Sequence, residues 1–326
     1  MLFMEPAFFL WMIPLAIALD IRFGDPQGMP VVHPVRRIGR FLERLEPEAR
    51  KLGDTRTTGA LCALATAGLT GAAVWLLTAV LPGLWAAFAL YFAYAGLAFG
   101  SLLHTGAAVL AVLEHDSLPE AQAAVGQMVS RDTTAQDRPT LYKSLAESLS
   151  ENMSDAVTGP LFWLMLTGPV GLWVYKAVST MDSMWGYKTP RWHNLGWAGA
   201  RLDDALAFAP ARLGAFFLYL AAQLEGKSAR WPGWVVVARE AGRMESPNSG
   251  WPMAVAAWTH QAGMGGPTLY FGELKHKPLI GPQGIAWDAQ RIRDLIRQTR
   301  LAGLLAAGFF YLAALAFYGG VALLSM

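Results

Sequence analysis

Apolar residues in this chain gather into long uncharged blocks separated by charged, Gly- and Pro-containing stretches. Residues 7–19 (AFFLWMIPLAIAL) form the first block, and residues 59–81 run uncharged for 23 positions. A helix of that length crosses a hydrocarbon core of about 30 Å. Pro82-Gly83 is a turn signal, and a second uncharged run extends from 84 to about 113. Segments 59–81 and 84–103 therefore predict a transmembrane hairpin, with 104–113 continuing as a helix into the cytosol or the interface. Residues 114–155 are polar and helical in pattern. Then come GPLFWLMLTGPVGLWVYKAV (159–178), a semipolar stretch to Asp204, an apolar run at 205–224, a basic loop at 225–300 and a final span near 301–324. The pattern predicts an all-α, polytopic membrane protein with about four spanning helices. It reads as one membrane domain over 1–326, with polar loops near 20–58, 114–155, 179–204 and 225–300.

Charge gives this layout a direction. Loop 20–58 holds eight of the 26 Lys and Arg residues and 225–300 holds ten, while Pro82-Gly83 at the far end of the hairpin has none. Cytoplasmic loops carry the basic excess, so both long loops are expected in the cytoplasm and the N-terminus outside. Ala16-Ile17-Ala18 imitates a signal-peptidase site, but no basic residue precedes the apolar run, as a signal peptide requires. A retained first span is the expectation. Parity then demands that 159–178 and 205–224 both cross, exporting 179–204, or that neither does. Thr167-Gly168-Pro169 interrupts the first and Pro210 with Arg212 the second. The short halves favour re-entrant or interfacial helices whose broken backbone is buried by protein.

Composition agrees. Only 15% of the residues are charged, against about a quarter in soluble domains. The net charge of +2 is too balanced to argue for nucleic acid. Cys62 is the single cysteine, so no intrachain disulfide forms, and an apolar setting makes it a packing residue.

Five polar features carry candidate chemistry. Glu147, Glu151 and Asp155 stand at i, i+4 and i+8, along one helix face. Like charges so spaced destabilise an isolated helix by a few tenths of a kcal/mol, and the row leads straight into Gly159-Pro160 and a membrane run. Hard carboxylate oxygens suit Mg²⁺; a solvated acidic face is the other reading. Lys176 and Asp182 are ionisable among apolar neighbours, which points to function near a membrane, although Lys176 can also snorkel to headgroups. RMESPNSGWP (243–252) makes a tight turn with hydroxyls and amides, a phosphate cradle or a plain loop. His33, Arg36 and Arg37, close to Gly24-Asp25-Pro26, offer anion contacts or a positive-inside anchor. Arg201 with Asp203 and Asp204 makes a local ion pair or a second ligand group. There is no GxxxxGK[ST], GxGxxG, HExxH, GxSxG or CxxC, so a nucleotide would be held without a P-loop.

Taken in order, ALDIRFGDP (18–26), HPVRRIGRFLERLE (33–46), SRDTTAQD (130–137), ESLSENMSDAVTGPLFW (147–163), YKAVSTMDSMWGYK (175–188), GWAGARLDD (196–204), PARL (210–213), SPNSGWPMA (246–254) and GGPTLYFG (265–272) resemble the adenosylcobinamide-phosphate synthases, the CobD/CbiB family. The pieces span about four fifths of the chain. The chain departs from the family pattern at Ser179, where Asn is usual, at Ala156, where Gly is usual, and at 244–245, where a His is missing.

The resemblance implies a ligase of cobalamin biosynthesis in the cell inner membrane, with its active-site loops on the cytoplasmic side. It would join an aminopropanol phosphate, or ethanolamine phosphate, to a propionate carboxyl of adenosylcobyric acid, with ATP as co-substrate and Mg²⁺. On this reading Glu147, Glu151, Asp155 and Asp182 bind the metal. Lys176 and Lys188 neutralise the transferring phosphoryl group, as that chemistry requires, and Asp203 is a candidate base; with Asp182 these form the catalytic set. Asp25, His33, Arg36, Arg131, Asp132, Asn152, Ser183, Arg201, Ser246, Asn248 and Trp251 lie in the matching stretches and are expected to contact the corrinoid and the aminoalcohol phosphate. Association with other late cobalamin-assembly enzymes, and a homo-oligomer, are compatible partners besides the lipid bilayer. Two other classes compete: a non-enzymatic AmpE-type signalling protein, which shares PLFW and P-x-RL but would lose the carboxylate row and SPNSGWP, and a transporter, which would show two similar halves.

Overall fold

The computed structural model describes residues 6–25, 33–79, 84–227, 230–270 and 273–324, with the side chains of 11–317 within that set. The Pro82-Gly83 turn, Pro26 and Phe271-Gly272 lie outside the described residues. In chain order the elements are α1 (Pro6–Phe23), α2 (Pro34–Leu52), α3 (Arg56–Ala79), α4 (Trp85–Gly96), α5 (Phe99–His115), α6 (Leu118–Gly126), α7 (Arg138–Asn152), a π-helical segment (Met153–Thr158), α8 (Gly159–Trp185), α9 (Trp197–Leu206), α10 (Phe208–Leu224), α11 (Trp234–Ala241), α12 (Gly250–His260), strands β1 (Met264–Tyr270) and β2 (Glu273–Ile280), and α13 (Ala289–Leu324).

Among the described residues, four helical stretches are long and apolar enough to cross a membrane: Arg56–Ala79, Trp85–His115, Arg138–Trp185 and Ala289–Phe317. The all-α polytopic expectation is met, although α1, expected as the first span, is not among the four. On α3, Leu61, Leu64, Leu69, Trp75 and Leu76 are all exposed. In water such a strip would drive aggregation; in a bilayer it is the lipid-facing side. The second apolar run is not one straight helix, because Leu97 takes an extended backbone (ψ 156°) between α4 and α5.

The interruption expected at Thr167-Gly168-Pro169 is present, with Gly168 at φ 67° and ψ −163° inside α8. The second interruption falls elsewhere. Pro210 sits in the first turn of α10, where a missing N–H costs no helical bond. The bend of 48° instead separates α9 from α10, at Ala207. The loop expected at 179–204 is largely helical, since α8 runs to Trp185 and α9 starts at Trp197. Likewise 225–300 contains α11, α12, an antiparallel β-hairpin and the start of α13.

The chain packs as two compact units built from separated segments. The first comprises Met1–Gly100, Gly159–Ala207 and Ala307–Met326; the second comprises Ser101–Thr158 and Phe208–Ala306. In the first unit, α3 packs along α8 and α9, α1 along α4, and α2 along α3 and α8. Small residues permit this closeness: a Cβ on Gly59 would stand 2.4 Å from the Leu195 carbonyl oxygen. In the second unit, α10 packs on α12 and on the π-helical segment, and α7 on α6 and α12. A buried polar contact ties α12 to α13. Gln298 donates its amide N–H to the Leu218 carbonyl at 2.9 Å, which leaves its Oε1 to accept from His260 Nε2 at 2.6 Å.

Candidate functional site

In the second unit the carboxylate row divides into members with different partners. Glu147 is fully buried, with Oε2 2.5 Å from Arg131 Nη1 and Oε1 accepting the Gly265 N–H at 2.7 Å. Lys143, one turn earlier on α7, donates to the Gly265 carbonyl at 2.8 Å. Gly265 takes φ +84°, and a Cβ there would stand 2.0 Å from the Pro278 carbonyl oxygen, so only glycine lets the hairpin dock on α7 this way. Burial opposes the Arg131 charge, but Glu147 more than offsets it and raises the guanidinium above its ordinary value. SRDTT, ESLSEN and GGPTLY thus lock together through one ion pair and one bulged strand.

Glu151 is half-buried. The charges acting on it come from Lys277 of β2, Asp155, Arg131 and Glu147. Asp155 lies in the π-helical segment that continues α7. Asn152 folds back on α7, donating to the Ser148 carbonyl at 2.9 Å. Asp132 closes a local turn by accepting the Thr134 N–H at 2.9 Å. Among the described residues no group of three or more His, Cys, Asp or Glu is arranged to hold a metal ion. Mg²⁺ asks for less, commonly one or two carboxylates completed by waters and substrate phosphates. Glu151 and Asp155 suit that role, whereas both oxygens of Glu147 are engaged.

The SPNSGWP turn belongs to the same unit. Asn248 donates its N–H to Ser246 Oγ at 3.3 Å, and its Oδ1 accepts from Arg212 Nη1 at 3.2 Å. The Arg212 guanidinium also lies over the Trp251 ring, 4.8 Å from its centroid. Arg212, Lys143 and Lys277 were absent from the expected set. PARL contained Arg212 and Lys143 stood one turn before Glu147, but no sequence signal connects Lys277 with Glu151.

The first unit gathers a second group. His33 caps α2, accepting the Val35 N–H on Nδ1 at 3.3 Å, with its ring 6.3 Å from that of Trp173 on α8. Asp20, also missing from the expected set, is buried and accepts the Gly100 N–H at 2.9 Å. The Tyr94 hydroxyl donates to the Gly24 carbonyl at 2.7 Å. Lys176 and Asp25 act electrostatically on both Asp20 and His33. Burial holds the His33 imidazole below its ordinary value, with Asp25 opposing and Lys176 reinforcing the effect. ALDIRFGDP, HPVRR and YKAV therefore converge where α4 gives way to α5.

Of the remaining expected residues, Asp182 is half-buried on α8 and close to Gly186, while Arg36, Ser183 and Lys188 are exposed. Ser183 donates to the Ser179 carbonyl at 2.9 Å. Arg201 and Asp204 form a local ion pair at 3.7 Å beside Asp203. Asp182 belongs to the first unit, and Glu147, Glu151 and Asp155 to the second.

These features define a polytopic helical membrane protein with clustered charged residues on and beside its apolar helices. The chain belongs to the family of CobD/Cbib proteins, whose pattern it matches over residues 13–319. It is 37% identical over 287 residues to the cobalamin biosynthesis protein CobD of Geobacter metallireducens, covering 86% of this chain and 89% of that one. It is 35% identical over 321 residues to the protein of the same name from Pelobacter propionicus, covering 95% and 96%. It is also 35% identical over 305 residues to that from Rhodobacter capsulatus, covering 92% and 95%. No solved structure matches.

Proposed function

We infer that this protein works in cobalamin biosynthesis as an adenosylcobinamide-phosphate synthase, ligating an aminoalcohol phosphate to a propionate carboxyl of adenosylcobyric acid. The relatives named for cobalamin biosynthesis support the pathway. The observation that carries the reaction type is the setting of Glu151. Asp155, Arg131 and Lys277 lie within electrostatic reach of Glu151, with Arg131 held there by Glu147 at 2.5 Å, and such a mixture of carboxylates and cations suits a Mg²⁺-bound phosphate.

A free carboxylate does not form an amide unaided. Its oxygen attacks the terminal phosphorus of ATP, giving an acyl phosphate and ADP. The amine then attacks the acyl carbon, the C–O bond to phosphate breaks, and phosphate leaves. Mg²⁺, when bound, neutralises the phosphate oxygens; Glu151 and Asp155 would hold it. Lys176 and Lys188 are assigned to anionic groups, Asp203 to the proton lost by the incoming ammonium, and Ser246, Asn248, His33 and Arg36 to substrate amides and phosphate. No observation favours the signalling or transporter alternative.

The test is purified full-length protein in detergent with adenosylcobyric acid, aminopropanol phosphate, Mg²⁺ and ATP, read by mass spectrometry. The amide product and equimolar ADP are expected. A folded protein that makes no product overturns the activity; product without ATP consumption overturns the acyl-phosphate route alone.

A further inference from the structure

Within the first unit, α2, α3, α4 and α8 enclose a cavity of about 380 Å³, within the size range of ligand pockets. Its walls include Phe41, Leu69, Ala73, Leu77, Phe88 and Trp173, and among the described residues Arg37 is the one charged residue lining it. Leu69 is 59% exposed, so the cavity opens onto the outer apolar strip of α3. A hydrocarbon chain can therefore enter from the bilayer without crossing water.

The second observation is electrostatic. Arg37, Arg40 and Arg44 stand at i, i+3 and i+7 on α2, one face of a helix, and are all exposed. Together they cover about 10 Å of its length. Among the described residues no side-chain hydrogen bond or ion pair engages any of the three. The same helix turns Ile38 and Phe41 into the cavity. A basic row on an amphipathic helix is a surface that meets lipid phosphate.

We propose that this cavity and the Arg37-Arg40-Arg44 row form a binding site for an anionic phospholipid, one acyl chain in the cavity and the phosphate on the arginines. This differs from general attraction of basic loops to a membrane, because it requires both parts of the lipid. Arg36, which points off this row, stays with the proposed substrate contacts.

The experiment uses delipidated full-length protein in detergent, melted with phosphatidylglycerol, with phosphatidylcholine of the same chains, or with glycerol phosphate. Phosphatidylglycerol is expected to raise Tm clearly more than phosphatidylcholine, and glycerol phosphate to leave it unchanged. Ala73→Phe fills the cavity from a lining position and should lose the phosphatidylglycerol shift. Combined Arg37→Gln, Arg40→Gln and Arg44→Gln should weaken phosphatidylglycerol binding by about fivefold per arginine, bringing it near phosphatidylcholine. Native mass spectrometry of the wild type gives an answer independent of whether the variants fold: saturation near one phosphatidylglycerol per chain is expected. Equal responses to the two lipids, a shift with glycerol phosphate alone, an undiminished shift in folded Ala73→Phe, or unsaturable lipid uptake would each overturn the proposal.

Discussion

Arg131 and Glu147 form an ion pair, Nη1 to Oε2 at 2.5 Å, with side chains 5% and 0% exposed. Removing one partner of a buried pair leaves the other charge uncompensated, at a cost of about 3–5 kcal/mol. Arg131→Met and Glu147→Gln should therefore each lower Tm strongly in detergent. The double variant Arg131→Met with Glu147→Leu should recover part of the loss, since neither charge then stands alone. It cannot recover all of it, because the Gly265 N–H loses its acceptor, worth about 1–3 kcal/mol when buried. Single variants that melt with the wild type would show that the pair does not hold the hairpin.

Glu151→Gln keeps the shape of the side chain and removes the charge that a hard cation needs. Product formation should nearly vanish while membrane insertion and Tm in the absence of Mg²⁺ remain. Activity within about threefold of wild type at limiting Mg²⁺ would take Glu151 out of the metal set.

His260 is buried on α12 and its pKa is lowered to about 4, mainly by desolvation, with Lys227 adding to the effect. The unfolded chain thus binds a proton near pH 6.5 that the folded chain refuses until about pH 4. Between these values the unfolded state holds more protons, so stability rises with pH. Stability should be complete above about pH 6.5 and fall by about 3 kcal/mol as pH drops through the window. His260→Gln should flatten that part of a Tm-against-pH curve. A wild-type curve with the same slope as the variant's would refute the assignment.

Single cysteines at Thr189 and Ser249, in a Cys62→Ala background, report the sidedness of the polar motifs. Both should resist a membrane-impermeant thiol reagent in intact cells and react after lysis. Labelling at 189 alone would mean that 159–178 crosses the membrane and that the re-entrant reading is wrong.

Much of the fold was legible because hydrocarbon imposes a length rule on uncharged residues. The runs at 59–81 and 84–113 became α3 and the α4–α5 stretch, and the Thr167-Gly168-Pro169 break appeared at Gly168. The β-hairpin at 264–280 was not legible. Its strands lie in a basic, glycine-containing stretch whose pairing depends on α7, through Lys143 and Glu147.

The candidate residues divide the same way. The order and chemistry of the motifs were enough to show the resemblance to a family, since side-chain type is written directly in the sequence. Helical spacing placed Glu147, Glu151 and Asp155 in one row but could not distinguish their roles. The tertiary structure did so by giving Glu147 to Arg131 and the Gly265 N–H, while Asp155 and Lys277 stay within electrostatic reach of Glu151. It also brought Asp20 to the Gly100 N–H, across 80 residues. Periodicity reports only neighbours along one element, whereas a buried charge takes the partner that packing brings to it.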